Sequence, residues 1–316
     1  MRGIAVIRAG LLTTVQDGGR WGLQHLGVPV AGPMDPFSMA WANLLVGNAA
    51  GEAAIEATLL GPELLFEQDT VVAITGADLS ATVRQGAGPV AVPLARAIEL
   101  ARGAVLRFGE KRSLSRAYIA VRGGVDVPVV LGSRATSLQA GLPGLAGRPL
   151  RTGDALAIGD RAVSAPKTGG PALKETTREA PAALRFVWGP DRELLADTEA
   201  ENFLHAVYFL STQSNRMGYR LEGPSIGVAR AGTLLSEATP MGTIQVPPSG
   251  QPIVLMADRQ TTGGYPRIGS VITADFRVAG QLAPADQVRF VPCDMDEATR
   301  ALREEQAWLA ALAESR

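Results

Sequence analysis

The chain has 316 residues, and its 30 lysines and arginines nearly balance its 31 aspartates and glutamates, which leaves a formal net charge of −1. Hydrophobic residues make up 46% and charged residues 19%, which excludes a disordered protein, and the length predicts about two domains. The near-neutral charge argues against nucleic acid as a partner, because proteins that bind it need a basic face.

Rare residue types exclude several kinds of site. With one cysteine, Cys293, and two histidines, the chain can form no intramolecular disulfide, no CxxC metal site and no three-histidine site. None of the three lysines completes a phosphate-binding GxxxxGK[ST] loop or the Met-Lys pair of a biotin carrier. The sequence shows no signal peptide and no apolar run long enough to span a bilayer, so we expect a cytoplasmic protein without membrane contact.

The first half of the chain favours short strands. Apolar runs bounded by turn residues predict them at 4–7, 59–66, 71–75, 104–108 and 117–121. One predicted helix interrupts them: Asp35 caps it, Pro36 occupies its first position and Gly47 ends it.

The stretch 163–183 has the composition of a linker, with three prolines, two glycines and alternating charge. It divides the chain into a predicted N-terminal β-barrel domain, 1–162, and a predicted C-terminal β-barrel domain with a C-terminal helix, 184–316.

The second half continues the pattern of short strands. Apolar runs predict strands at 184–188, 253–257, 271–274 and 287–291. Thr198 and Glu201 predict a capping box for a helix over about 199–206, and Asp294 with Glu297 predicts the start of the C-terminal helix.

Polar residues concentrate in four glycine-rich segments, 14–35, 122–134, 211–221 and 242–267. In the first, Asp17 and Arg20 can pair across a tight turn, as part of a site or as a structural lock. The third places amides, hydroxyls and arginines together without an acid, which suits a bound anion, although a polar surface hairpin would have the same composition. In the fourth, an apolar strand ends in a polar loop, which is where scaffolds often carry sites.

These segments together resemble a known family. The motifs VQDGGRWGLQHLGVPVAGPMD, RGGVDVP with LGSR, SNRMGYRLEGP and GTIQVPPSGQPIVLMADRQTTGGYP are similar to those of KipA-like proteins. That family is also called the 5-oxoprolinase C subunit, allophanate hydrolase subunit 2 or biotin-dependent carboxyltransferase-like protein. The resemblance covers about residues 3–291 and implies a mainly β fold of two cyclophilin-like barrels with a few short helices. Asn215 departs from the aspartate expected in many relatives.

The resemblance also implies a reaction and partners. KipA-like chains act with a KipI-like chain, and in bacterial 5-oxoprolinase a LamB-like subunit joins them to open 5-oxo-L-proline to L-glutamate with ATP. ATP with Mg²⁺ would then be shared with the partner subunit. The alternatives are the carboxyltransferase component of a urea or amide carboxylase, with biotin supplied by another chain, and a regulatory protein that antagonises a KipI-like kinase inhibitor.

Opening a lactam requires groups that hold a small carboxylate, polarise an amide and neutralise phosphate charge. We predict catalytic roles for Asp258 as a proton acceptor or metal contact, Asn215 as the group that orients the amide, and Arg216 as the anion contact. The loop 258–267 is predicted to form a wall of the site at the junction with the partner, with a satisfied structural turn as the alternative. The residues predicted to bind substrate or nucleotide are Asp17, Arg20, Gln213, Gln245, Gln260, Thr261, Thr262, Tyr265 and Arg267.

Overall fold

The computed structural model describes residues 3–86, 88–167, 180–229 and 234–315. The chain groups into two compact units: one comprises 1–21, 31–172 and 306–316, and the other comprises 22–30 and 173–305. Two segments therefore fall outside the domain boundaries predicted from the sequence, because 22–30 groups with the second unit and 306–316 with the first. Residues 168–179 of the predicted linker lie outside the described residues.

Two antiparallel sheets form the first unit. One has the strand order β11-β12-β1-β4-β9-β6-β7 and the other β2-β3-β10-β5-β8. The strands are β1 (Gly3–Arg8), β2 (Leu12–Gln16), β3 (Ala54–Thr58), β4 (Glu63–Phe66), β5 (Thr70–Asp78), β6 (Thr82–Arg84), β7 (Pro89–Ala91), β8 (Ala97–Leu100), β9 (Val105–Arg107), β10 (Ser113–Val121), β11 (Val125–Asp126) and β12 (Ala155–Ile158). Side chains alternate along β4, so Leu64 and Phe66 face the core while their neighbours are half-buried.

Helix α1 (Pro36–Leu45) packs on β5 and β10 of the first unit. The predicted cap is confirmed, since the Ser38 amide donates to the Asp35 carboxylate at 3.0 Å and Pro36 begins the helix. Gly47 has a φ of +80° just beyond the last turn, as expected of a helix stop.

The second unit contains a closed barrel with the strand order β13-β20-β17-β18-β15-β14-β21. Its strands and helices are β13 (Ala182–Trp188), α2 (Asp197–His205), β14 (Tyr208–Leu210), β15 (Gly218–Glu222), β17 (Thr243–Gln245), β18 (Ile253–Leu255), β20 (Arg267–Val271), α3 (Phe276–Ala279) and β21 (Gln287–Pro292), and β16 (Glu237–Ala238) pairs with β19 (Thr262–Gly263) outside the barrel. Aromatic rings fill its interior, where Phe203 stacks on Phe290 with centroids 4.7 Å apart. The prediction of a mainly β fold is confirmed.

Helix α4 (Met295–Glu314) follows the barrel, and its start is as predicted, because the Glu297 amide donates to the Asp294 carboxylate at 2.7 Å. Its last turns belong to the first unit. There Trp308 packs edge-on against Trp41 of α1 at 5.1 Å, and Leu312 is fully buried. This apolar contact explains why 306–316 groups with the N-terminal part of the chain.

Two predicted strands are wrong in extent. The run 59–66 breaks, because Leu59 has a φ of +60° and the chain bends at Leu59 and Leu60, which leaves only β4 from Glu63 onward. The run 271–274 contributes only Val271 to β20, and a 3₁₀ helix follows over Thr273–Asp275.

The predicted capping box at Thr198 is also wrong. Helix α2 begins at Asp197 with Ala196 as its N-cap and without a side-chain cap. The acid at its first turn bonds elsewhere, since Glu199 accepts from the Gly227 amide at 2.8 Å.

Candidate functional site

Asp17 and Arg20 tie two loops of the first unit together. The Asp17 carboxylate accepts from the Gly19 amide, the Ser133 hydroxyl and the Arg134 amide, at 2.5–2.9 Å. The Arg20 side chain is fully buried and donates to the carbonyls of Val130, Ala135 and Pro143. These bonds join both side chains to residues 130–143 and do not include the predicted Asp17–Arg20 pair, so the turn lock and a role in binding both stay predictions.

Contacts with the backbone explain two residues of the RGG motif in the same unit. Arg122 donates to the carbonyls of Val46 and Ser164, at 3.0 and 2.6 Å, close to the end of α1. Gly123 has a φ of +90°, and a Cβ there would lie 2.0 Å from the Gly159 carbonyl oxygen. Only glycine fits such a close backbone approach.

Arg216 and Asp258, predicted from two separate segments, form a buried ion pair. Strands β15 and β18 are antiparallel neighbours, so the residue before β15 meets the loop after β18. The Arg216 Nε and Nη2 atoms donate to the two Asp258 oxygens at 3.1 and 3.0 Å, and the side chains are only 4% and 2% exposed. The Asp258 amide also donates to the Arg216 carbonyl at 2.8 Å. The predicted proton acceptor is therefore bound by the predicted anion contact.

The two other predicted site residues of the third segment, Gln213 and Asn215, lie on the surface. Asn215 is exposed, and its Oδ1 atom accepts from the Met217 amide at 2.8 Å in a tight turn. Gln213 is exposed as well. The structure thus places these two side chains apart from the buried pair, and their catalytic or binding roles stay predictions.

Gln245 and Gln260 lie together on the inner side of the fourth segment. Gln245 is 1% exposed in β17, and its Nε2 atom has no hydrogen-bond partner among the described residues. A Cβ on Gly263 would lie 2.7 Å from this nitrogen and 3.4 Å from Nε2 of Gln260. The glycine therefore lets the loop close over two amide donors, one of which is buried and unsatisfied.

The remainder of the predicted loop faces solvent or is held by acids. Thr262 is exposed in β19, and the Thr261 carbonyl accepts from the Thr239 amide. Arg267 donates to Asp191 at 3.2 Å and to Glu237 at 2.5 Å. Partial burial lowers the pKa of the Arg267 guanidinium, but these hydrogen bonds outweigh it and raise the pKa overall.

A cavity of about 490 Å³ lies along this loop in the second unit. It is lined by 225–228, 246–248, Gly250 and 264–266, with the half-exposed ring of Tyr265 at its side. This volume lies in the range of small-molecule sites, roughly 300–1,000 Å³. A larger cavity, about 840 Å³, lies in the first unit and is lined by residues that include Asp69, Glu99 and Arg122.

Sequence reasoning missed Arg259, which follows Asp258 in the chain. Its side chain is 7% exposed and donates to the carbonyls of Thr239 and Met256, at 2.8 and 3.5 Å. No carboxylate among the described residues pairs with it, and burial lowers the pKa of its guanidinium to about 10. Loop positions lack the periodicity that marks a buried side chain, so only the neighbouring polar motif could have drawn attention to it.

The sequence profile of the family described as carboxyltransferase domain, subdomain A and B, matches residues 26–292. The chain belongs to this carboxyltransferase-domain family. The resemblance drawn from the four motifs is thereby confirmed, and the candidate loop 258–267 falls inside the matched region.

Curated relatives of this carboxyltransferase-domain chain extend over its length. It is similar to the 5-oxoprolinase C subunit of Escherichia coli, strain K12, at 38% identity over 98% of this chain and 97% of that protein. It is also similar to the 5-oxoprolinase C subunit of Haemophilus influenzae, at 34% identity over 94% of this chain and 93% of that protein.

Among solved structures, the K. lactis urea amidolyase superimposes with a TM-score of 0.87 at 29% identity. The match covers all of the carboxyltransferase-domain chain but only 20% of the amidolyase. The same fold thus stands alone in one set of relatives and forms part of a much longer chain in the other.

The described residues lack two kinds of feature. They contain no group of three or more histidine, cysteine, aspartate or glutamate side chains placed to hold a metal ion. No helix within the described ranges is long and apolar enough to cross a membrane.

Proposed function

We propose that the chain is a subunit of an ATP-dependent 5-oxoprolinase, which opens 5-oxo-L-proline to L-glutamate together with a KipI-like and a LamB-like subunit. The observation that carries the proposal is the similarity to the 5-oxoprolinase C subunit of E. coli, which covers 97% of that protein. A match over both full lengths supports a shared role better than a match to one domain of a longer enzyme.

The chemistry of the reaction defines what the subunits must supply together. An amide carbonyl is a poor electrophile, so the lactam oxygen attacks the γ-phosphorus of ATP and ADP leaves. Water then adds to the activated carbon, and the ring C–N bond breaks to give the amino group of glutamate and an acyl phosphate. A second water hydrolyses the acyl phosphate to the carboxylate of glutamate and inorganic phosphate. The site must hold the substrate carboxylate and neutralise the negative charge of the phosphoryl group as it is transferred.

In this proposal Gln245 and Gln260, whose Nε2 atoms both face Gly263, are the donors that hold the substrate. The next loop residues, 264–266, line the 490 Å³ cavity. Both glutamine side chains are amides that can donate without adding charge. The Arg216–Asp258 pair fixes the start of the loop, because it joins the turn before β15 to the loop after β18. That makes it a positioning pair rather than an anion contact and a base.

The proposal includes ATP with Mg²⁺, shared between this chain and the partner subunit. The sequence has no phosphate loop, and the described residues contain no group of three or more ligands placed for a metal ion. We assign no nucleotide or metal step to particular side chains of this chain.

A carboxyltransferase role in a urea or amide carboxylase is the second candidate. It is favoured by the TM-score of 0.87 to the K. lactis urea amidolyase over the whole chain. In that role another chain would supply biotin, since this one has no Met-Lys carrier pair.

The deciding experiment mixes the purified chain with its candidate KipI-like and LamB-like subunits and measures glutamate released from 5-oxo-L-proline. We expect release that needs ATP and stops when this chain is omitted. ATP-independent release, or equal release without this chain, would refute the proposal. To test the second candidate, the same chain is mixed with a biotin carboxylase, and the carboxylation of urea is measured.

A further inference from the structure

We propose that Arg259, with Gln245 and Gln260 beside it, forms the binding site for the carboxylate group of a small substrate. The inference rests on the proposed function only for its probe, 5-oxo-L-proline. The site itself is inferred from the burial of the Arg259 guanidinium, which bonds to no acid among the described residues.

Three arginines of the third and fourth segments are buried or half-buried, and two of them are bound to acids. Arg216 donates two hydrogen bonds to Asp258. Arg267 donates to Asp191 and Glu237. Arg259 is nearly as buried as Arg216, yet its partners among the described residues are carbonyl oxygens. Carbonyl groups solvate a guanidinium without neutralising it, so a carboxylate is the ligand that would stabilise it most.

The unsatisfied amide of Gln245 is a second, independent sign of a missing acceptor. A buried donor without a partner is rare, because it loses its hydrogen bonds to water without replacement. Its Nε2 atom faces Gly263, and Nε2 of Gln260 faces the same glycine. The residue that links these groups is Thr239, whose carbonyl accepts from Arg259 at 2.8 Å and whose methyl group faces Gly263.

Together these groups match the hydrogen-bonding needs of a carboxylate. Its two oxygens offer about four acceptor positions, which a guanidinium and two amides can fill. The guanidinium stays charged at neutral pH even though burial lowers its pKa to about 10. The cavity of about 490 Å³ is lined by 264–266, the loop residues that follow Gly263, and its volume suits the remainder of a small molecule.

The test measures binding of 5-oxo-L-proline to the full chain and to the assembled complex by calorimetry, with the neutral carboxamide of the same lactam as the matched ligand. We expect the carboxylate to bind at least about tenfold more tightly than the carboxamide. Arg259→Gln should weaken the carboxylate about 10- to 100-fold and leave the carboxamide nearly unchanged, the size expected for a charge-assisted hydrogen bond. Arg259→Lys should fall between, because it keeps the charge and loses the planar fork.

The variant Gln245→Leu distinguishes an effect on carboxylate binding from an effect on folding. Because the amide nitrogen has no partner among the described residues, its removal should leave the thermal midpoint unchanged or raise it, while carboxylate affinity falls. Arg289→Gln, at an exposed arginine of β21, is the control that should leave both unchanged.

Three outcomes would overturn the proposal: equal affinity for carboxylate and carboxamide, unchanged carboxylate affinity in Arg259→Gln, or no binding to either the chain or the complex. Carboxylate binding that depends on Arg259 without any glutamate release would instead uphold this site and refute the proposed reaction.

Discussion

Because Arg216 and Asp258 form a buried ion pair, we expect a substitution of Asp258 to lower stability. A role as catalytic base alone would not lead to that expectation. Asp258→Asn keeps the shape of the side chain but leaves the Arg216 charge buried beside a neutral amide. Breaking a buried ion pair in this way costs about 3–5 kcal/mol. We expect the free energy of unfolding, measured by urea denaturation, to fall by about that amount.

The control for this variant is Asp197→Asn, which breaks a pair with Arg192 in which the Asp197 side chain is 95% exposed. Exposed pairs contribute about 0–1 kcal/mol, so the control should change stability little. If Asp258→Asn left stability unchanged and lowered the activity of the assembled complex about 100-fold or more, the result would support the prediction that Asp258 is a proton acceptor.

At the level of the loops and strands, the backbone conformation at position 123 requires a glycine. Gly123→Ala would bring a Cβ within 2.0 Å of the Gly159 carbonyl oxygen, so the turn after β10 must shift. Gly153→Ala is a matched control, because Gly153 has a similar φ of +92° and no atom within 4 Å of its Cβ position. Both variants incur the cost of about 1–2 kcal/mol for a left-handed conformation. In thermal unfolding, Gly123→Ala alone should lower the free energy of unfolding by clearly more than this cost. Equal losses of stability in the two variants would contradict the steric argument.

Helix α4 stabilises the first unit through one side chain in particular. Leu312 is fully buried in a cluster with Met39, Leu45 and Tyr118. Leu312→Ala should therefore destabilise the protein by about 2–5 kcal/mol, since it leaves a cavity. Met295→Ala, at a 64% exposed position of the same helix, should change stability by less than about 0.5 kcal/mol. Urea unfolding followed by tryptophan fluorescence measures both, and similar values for the two would show that the end of α4 does not contribute to the core.

For the whole molecule, the proposed function predicts dependence on a partner. When co-expressed with a KipI-like subunit, the chain should elute with it as one complex from size-exclusion chromatography at micromolar concentration, with an interface of at least about 1,000 Å². The chain alone should show no turnover of ATP or 5-oxo-L-proline near the ordinary enzyme range of about 1–10³ s⁻¹. Two separate peaks, or full activity of the chain alone, would contradict this prediction.

The amino-acid sequence by itself determined the local features and the family. The cap at Asp35, the helix stop at Gly47 and the start of α4 after Asp294 depend on a few neighbouring residues, and all three are confirmed. The mainly β character follows from short apolar runs between turns. The motifs that identify the family are also contiguous in the chain, so no tertiary information was needed to find them.

Only the tertiary structure decided which polar groups meet. Arg216 and Asp258 are 42 positions apart and pair because β15 and β18 become neighbours in the barrel. Among the described residues, the buried amide nitrogen of Gln245 has no acceptor, and the buried Arg259 side chain bonds to carbonyls and not to an acid. No local sequence pattern encodes either property. Propensity and capping act over a few residues, whereas burial and charge pairing depend on contacts between distant strands, which is why the sequence located the segments and the fold assigned the roles within them.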